Sequence, residues 1–401
     1  MMASVHSHRR RPGKPLRFAV VAVAFAAGTA GCSIDLSDFR PGGGEEEEAS
    51  PSPTPVDAGP VLDSALEQLG SGAATVSQGQ VAASEDSPVN QVSLTVTDAG
   101  AVSGTLQQGE NEAEVMEADG KLFVNAPEEY WLDQEIVNPD TDKYAGNWVR
   151  VTGDQLGFDP ASVLTPEQLS AALGELAPDG GEAVPEKLDG DNVYRIDLKG
   201  GDENRVWVSE EEPHRLLRLE VEELAPEGGD SGPRTRLDFS EPEEEKVREA
   251  YDTLTSAAED SLDSSRDARI EVNWDGELDL DCEVGGKCTV NGTVTDASGD
   301  SGADGSVAVR MDATVNNDEL GEKTCKDTAS LDAGGNADVS CTIDYDLSPS
   351  ANPQEYSVSG DALLSTRGIT GDAQDKLVNT IEDSRDATLE KSDSSGDSDK
   401  G

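Results

Sequence analysis

The feature that most constrains this chain is its start. Phe18 to Ala27 is an unbroken apolar run, preceded by Arg9, Arg10, Arg11, Lys14 and Arg17 and followed by Gly28-Thr29-Ala30-Gly31-Cys32. A basic head, an apolar stretch too short to span a bilayer as a mature helix, and a small-residue end make a secretory signal peptide over residues 1–31. Everything after it is then expected to fold outside the cytoplasm, where thiols can oxidise.

The cysteines support that reading. Thr29-Ala30-Gly31-Cys32 resembles a bacterial lipobox, whose Cys becomes the lipidated N-terminus, with Thr29 where the motif usually carries Leu. Cys32 is therefore the expected lipid anchor, holding the protein at the outer face of the cell membrane. Cys282, Cys288, Cys325 and Cys341 remain, an even number in an exported chain, which argues two disulfides. Near-symmetry about two Gly-containing turns favours Cys282–Cys288 and Cys325–Cys341, as cross-strand neighbours in hairpins; two other pairings are open. No CxxC occurs and His214 is distant in sequence, so zinc is not expected and no metal ligand is singled out.

The net charge of −53 becomes more negative once the basic head is removed. Phosphate backbones and anionic headgroups would be repelled, which excludes nucleic acid as a partner. Residues 32–57, with Gly42-Gly43-Gly44, Glu45 to Glu48 and alternating prolines 51, 53 and 55, cannot bury a core and read as a disordered tether.

Residues 58–240 read as the first folded region. Val61, Leu62, Ala65, Leu66 and Leu69 recur at helical spacing. The period then drops to two, as in Val92, Leu94 and Val96, and Asp119-Gly120 marks a hairpin. Thr165 followed by Pro166 opens a helix with Leu169, Leu173 and Leu176 on one face. Nine or ten strands in hairpin order predict an antiparallel sheet with helices covering one side. Tyr194, Ile196 and Leu198 form one apolar side; Val206 and Val208 oppose Trp207; Leu217, Leu219 and Val221 form another.

Residues 241–267 read as a helical linker, with Ser240 and Glu243 as a capping box and Val247, Ala250, Tyr251 and Leu254 as its packing face. Residues 268–365 carry seven or so short strands with Gly turns, which predict an immunoglobulin-like β-sandwich stapled by the two disulfides. Residues 366–401 read as a short helix and a disordered acidic tail. The expected class is therefore α+β followed by all-β.

One resemblance adds to this. Gly120-Lys121-Leu122-Phe123-Val124, Trp148-Val149-Arg150-Val151, Asp189 to Ile196, Arg205-Val206-Trp207-Val208, Pro213 to Leu219 and Leu237 to Ser240 together resemble the actinobacterial LppX/LprG-type lipoproteins. Those are similar to the LolA and LolB lipoprotein carriers. The resemblance covers about residues 60–240 and rests on a strand-and-tryptophan pattern. It implies a half-barrel closed by helices, with an apolar cavity that binds or carries a lipid or lipoprotein acyl chain. Leu122, Val124, Trp148, Ile196, Val206, Leu217 and Leu219 would line that cavity. Half-barrels of this kind also resemble RseB-type envelope-stress regulators, which implies a sensor or protein-interaction module without lipid cargo as the alternative.

No catalytic constellation emerges. Gly229-Asp230-Ser231-Gly232-Pro233 resembles a trypsin-like nucleophile motif, but the one mature histidine, His214, lies too near in sequence for that fold. Asp296, Asp300 and Asp304, and the Asp140-Thr141-Asp142 loop, lack EF-hand spacing, which leaves a calcium loop of another kind as the open alternative there. The chain is read as a non-enzyme needing no cofactor.

Overall fold

The computed structural model describes residues 54–134, 136–229, 231–298, 305–347, 352 and 354–396. The segment expected to be a signal peptide, Cys32 and nearly all of the expected tether lie outside the described residues, as do Asp300 and Asp304. No described helix is long and apolar enough to cross a membrane.

Val56–Asp57 forms β1 and Ala58–Gly70 forms α1. Five strands follow: β2 (Ala74–Ala82), β3 (Asn90–Thr97), β4 (Val102–Gln108), β5 (Asn111–Ala118) and β6 (Lys121–Asn125). Short pieces come next: α2 (Glu128–Asp133), β7 (Trp148–Arg150), α3 (Gly153–Leu156), α4 (Pro160–Leu164) and α5 (Pro166–Glu175). Then come β8 (Glu182–Leu188), β9 (Asp191–Asp197), β10 (Arg205–Ser209), β11 (Leu216–Val221), β12 (Arg234–Ser240), α6 (Glu244–Asp260) and β13 (Arg266–Asp267). The strands make one sheet in the order β1-β8-β9-β10-β11-β12-β2-β3-β4-β5-β6-β7-β13. Its neighbours are antiparallel except β13, which runs parallel to β7. The hairpin turns obey the expected chemistry: Asp119 and Asp189, each followed by Gly, are the two non-glycine residues at positive φ among the described residues.

Helices cover both faces of this sheet, not one. On the first face α1, α4 and α5 pack Val61, Leu62, Leu164, Leu169 and Leu173 onto Val96, Leu106, Ile196 and Leu237 in one apolar cluster. Thr165 caps α5 by accepting from the Gln168 N–H, as expected. On the second face α6 and the C-terminal helix α7 (Gly371–Gly396) pack Tyr251, Leu254, Leu377 and Ile381 onto Met116, Phe123 and Trp148. Alternation explains the two faces: Val115 faces the first cluster and Met116 the second. The helix expected as a linker is thus a structural layer, and α7 returns to the first sheet after the intervening strands. The expected Ser240 cap does not form. Ser240 is still paired with Val76 in the sheet, so the helix starts after Glu243, without a side-chain cap.

The remaining strands are β14 (Val272–Trp274), β15 (Asp279–Cys282), β16 (Lys287–Asp296), β17 (Ser306–Asn317), β18 (Gly321–Asp332), β19 (Asn336–Asp344) and β20 (Ser359–Arg367). β16 pairs with β14 and β15 on one side and β19 on the other; β17 lies between β18 and β20. The inward residues of both sheets, including Val290, Val294, Val309, Met311, Val339 and Leu364, share one core. The two disulfides are Cys282–Cys288 and Cys325–Cys341. Cys282 and Cys288 are opposite each other on β15 and β16, as a hairpin bridge should be. Cys325–Cys341 is different. The turn at Gly334-Gly335 carries the chain from one sheet to the other, so β18 pairs with β17 while β19 pairs with β16, and the bridge ties sheet to sheet. Two formed bridges fit an oxidising, extracytoplasmic setting.

The two cores meet at a polar seam. Asn138 Nδ2 donates to the Ile270 carbonyl at 3.1 Å, and its Oδ1 accepts the Val272 N–H at 2.7 Å. The Tyr144 hydroxyl donates to the Asp267 carbonyl at 3.3 Å. Asp140 Oδ2 accepts from the Thr366 N–H and hydroxyl at 2.8 and 3.1 Å, with Arg266 alongside. Asn138, Asp140 and Tyr144 are all buried.

Candidate functional site

The residues expected to line a cavity separate into three groups. Leu122, Val124, Ile196, Val206 and Leu219 lie together in the cluster under α1, α4 and α5. Trp148 faces the opposite side, in the cluster under α6 and α7, because β7 alternates Trp148 against Val149. Leu217 belongs to neither. The β10–β11 register slips between Trp207 and Val208, so Val206 opposes Leu219 but Val208 opposes Leu216. This irregularity puts Leu216 into the core in place of Leu217, which is only half-buried.

The first group is packed rather than open. Val124, Ile196, Val206 and Leu219 are 0% exposed. A side chain with no accessible surface borders no space large enough for a water molecule, let alone an acyl chain. The volume above them is filled by the chain's own helices.

One charged side chain breaks this apolar face. Glu117 on β5 shares the parity of Ala113 and Val115 and is 4% exposed. Its Oε2 accepts the Ala161 N–H at 3.3 Å, the one hydrogen bond its side chain makes among the described residues. Burial, and then the nearby Asp159 carboxylate, push its pKa up to about 8. At neutral pH Glu117 is therefore mostly the neutral acid. Asp140 is also pushed above the usual carboxylate range by burial, against hydrogen bonds from Thr366.

Two clefts open on this part of the molecule. One, about 260 Å³, lies between α2 and α3 and is lined by Tyr130, Trp131, Ile136 and Leu156 with Gln134 and Asp154. The other, about 270 Å³, lies where β2, β11 and β12 meet and mixes apolar side chains such as Val81, Val89 and Val221 with the charged groups of Glu220, Glu222, Arg234 and Arg236. The clefts hold none of the expected cavity residues.

Where β8 to β12 lack a helical cover, the outer face of the sheet carries a ladder of paired charges. Arg195 binds Glu186 and Asp197, Arg205 and Arg236 bind Glu220, and Arg218 binds Asp238 and Asp189. Trp207 stands on this face opposite Val206 and Val208, as expected, and its indole N–H donates to Glu186 at 3.2 Å.

The remaining motifs take structural roles. A ring nitrogen of His214 hydrogen-bonds the Ser209 carbonyl at 2.9 Å, and the ring packs edge-on to Tyr194. Asp296 accepts the N–H groups of Ser298 and Gly334. Among the described residues no group of three or more His, Cys, Asp or Glu could hold a metal ion. Sequence reasoning missed Glu117, the Asn138–Tyr144 seam and the Trp131 cleft. No family model matches the chain, and no curated protein matches it.

Proposed function

We propose that this chain is a membrane-tethered, non-enzymatic protein of the cell envelope that acts through its surfaces, as a sensor or protein-interaction module. The observation that carries the reading is the filled face: five of the seven side chains expected to surround cargo, Leu122, Val124, Ile196, Val206 and Leu219, are instead core residues beneath α1, α4 and α5. In this reading the large sheet is a half-barrel of the LppX/LprG kind whose concave side has been packed, and the smaller sheets are an immunoglobulin-like module. Cys32 carries the lipid.

The sheet order supports a presenting role. The tether enters at β1, at one end of the sheet, while β13 and the second module join at the other. Twelve strand spacings of about 4.8 Å separate them, a path of about 58 Å along the sheet. The buried seam at Asn138, Asp140 and Tyr144 fixes the junction between that end of the sheet and the second module.

The rival reading is carriage of an acyl chain. Photo-crosslinkers placed singly at exposed positions of each module in intact cells, with parallel lipid extraction, separate the two. Site-restricted crosslinks to one protein partner without extracted acyl lipid support the module. Stoichiometric acyl lipid without crosslinked protein supports the carrier and overturns the proposal.

A further inference from the structure

Glu117 is a buried acid in direct contact with a short, jointed element. On its own face of the sheet, Val102 of β4 and Leu122 of β6 stand directly opposite it, so its walls there are apolar. From the helical side it meets α4, whose Ala161 N–H makes the one hydrogen bond its side chain has among the described residues. α4 itself carries no ionisable side chain, and its N-cap, Asp159, is the one charged group that acts on Glu117. An ionised Glu117 would therefore face apolar walls and a like charge, with no cation to offset it.

α4 is only five residues long, Pro160–Leu164. Gly157, at φ 92°, joins it to α3, and Thr165, at ψ 147°, separates it from α5. Its C-terminal end is pinned: the Thr75 hydroxyl donates to the Leu164 carbonyl at 2.6 Å, and Val163 and Leu164 are buried in the apolar cluster. At its N-terminal end Asp159 accepts the Ser162 N–H within the turn itself, and the hydrogen bond to the sheet is the one from Ala161 to Glu117.

We propose that α4 is a pH-gated cover: when Glu117 loses its proton, the N-terminal half of α4 lifts from the sheet, turning on Gly157, and the carboxylate reaches water. In the closed form burial, and then Asp159, hold the pKa at about 8; in the opened form the carboxyl returns to its ordinary 4.5. Opening therefore releases one proton. The closed form is fully favoured below about pH 4.5 and loses ground with each unit up to about pH 8, a window that spans neutrality. Across it the opened fraction grows about tenfold per pH unit. The cover goes beyond the interaction-module reading and does not depend on it; it gives such a module a means of responding to the pH of its surroundings.

Native-state hydrogen–deuterium exchange with mass spectrometry on the full chain tests this, with rates corrected for the intrinsic pH dependence of amide exchange. Between pH 5 and pH 7 the protection of residues 161–164 should fall by about a hundredfold. In Glu117→Gln it should stay constant. Because the opening is local, about 1 M urea should leave this protection unchanged while lowering that of β10, which opens with the whole fold. Constant protection in the parent, an equal fall in Glu117→Gln, or a urea response matching that of β10 overturns the cover. The pH and urea responses of the parent decide the matter even if Glu117→Gln disturbs folding. None of these results bears on the crosslink and lipid readout, so failure here is distinguishable from failure of the module reading.

Discussion

Replacing Glu117 by Gln tests the physical description of the helix-covered face. The carboxyl is buried among apolar side chains with one backbone hydrogen bond, and its pKa rises from an ordinary 4.5 to about 8. Because the folded-state value lies above the unfolded one, the native protein holds a proton that the unfolded chain releases. Stability from this group is fully present below about pH 4.5 and is lost as pH rises toward about 8. Each pH unit in that window costs about 1.4 kcal/mol, so the full loss is on the order of 5 kcal/mol and the loss at pH 7 is about 3 kcal/mol. Gln keeps an oxygen acceptor for the Ala161 N–H and cannot ionise. Urea unfolding of both proteins at about pH 4, 7 and 9, followed by tryptophan fluorescence, measures the difference. The variant should gain on the parent by about 3 kcal/mol between pH 4 and pH 7 and by more at pH 9. Parallel pH profiles for the two proteins would refute the description of Glu117 as a buried acid.

Three further outcomes are expected. Loss of Cys325–Cys341, which closes 16 positions and ties the two small sheets, should cost about 3 kcal/mol, and loss of Cys282–Cys288, which closes 6, about 2 kcal/mol, measured by denaturant unfolding of the paired Ala variants. Asn138→Ala strands the Ile270 carbonyl and the Val272 N–H at the seam. It should cost on the order of 2–4 kcal/mol and raise protease sensitivity near residue 270, read by limited proteolysis with mass mapping. Cys32→Ala should release the protein into the culture medium, read by blotting the medium and membrane fractions.

Much of the architecture is legible from period-two alternation. Val206 and Val208 against Trp207, the Asp119-Gly120 hairpin and the Thr165-Pro166 helix start are local signals, and local physics decides them. Non-local facts are not available to such reading. Leu217 is misplaced because the β10–β11 irregularity shifts parity by one residue, which neither strand announces. The turn at Gly334-Gly335 has hairpin chemistry, yet its strands go to different sheets, β18 pairing with β17 and β19 with β16, a choice made by residues far away in sequence. The second helical layer is invisible for a similar reason: α7 follows the second module and packs on the first. Glu117 could have been found. Ala113, Val115 and residue 117 share one parity, so an acidic residue there points inward, whereas Glu112 and Glu114 point out.

The central claim is that the helix-covered face is filled by the chain itself, leaving surfaces to do the binding. Native mass spectrometry of the folded body, purified from its own membrane and cut from the tether, tests this most directly. The account predicts the mass of the polypeptide with its two disulfides and no acyl-lipid adduct. A stoichiometric lipid adduct that survives purification would contradict it.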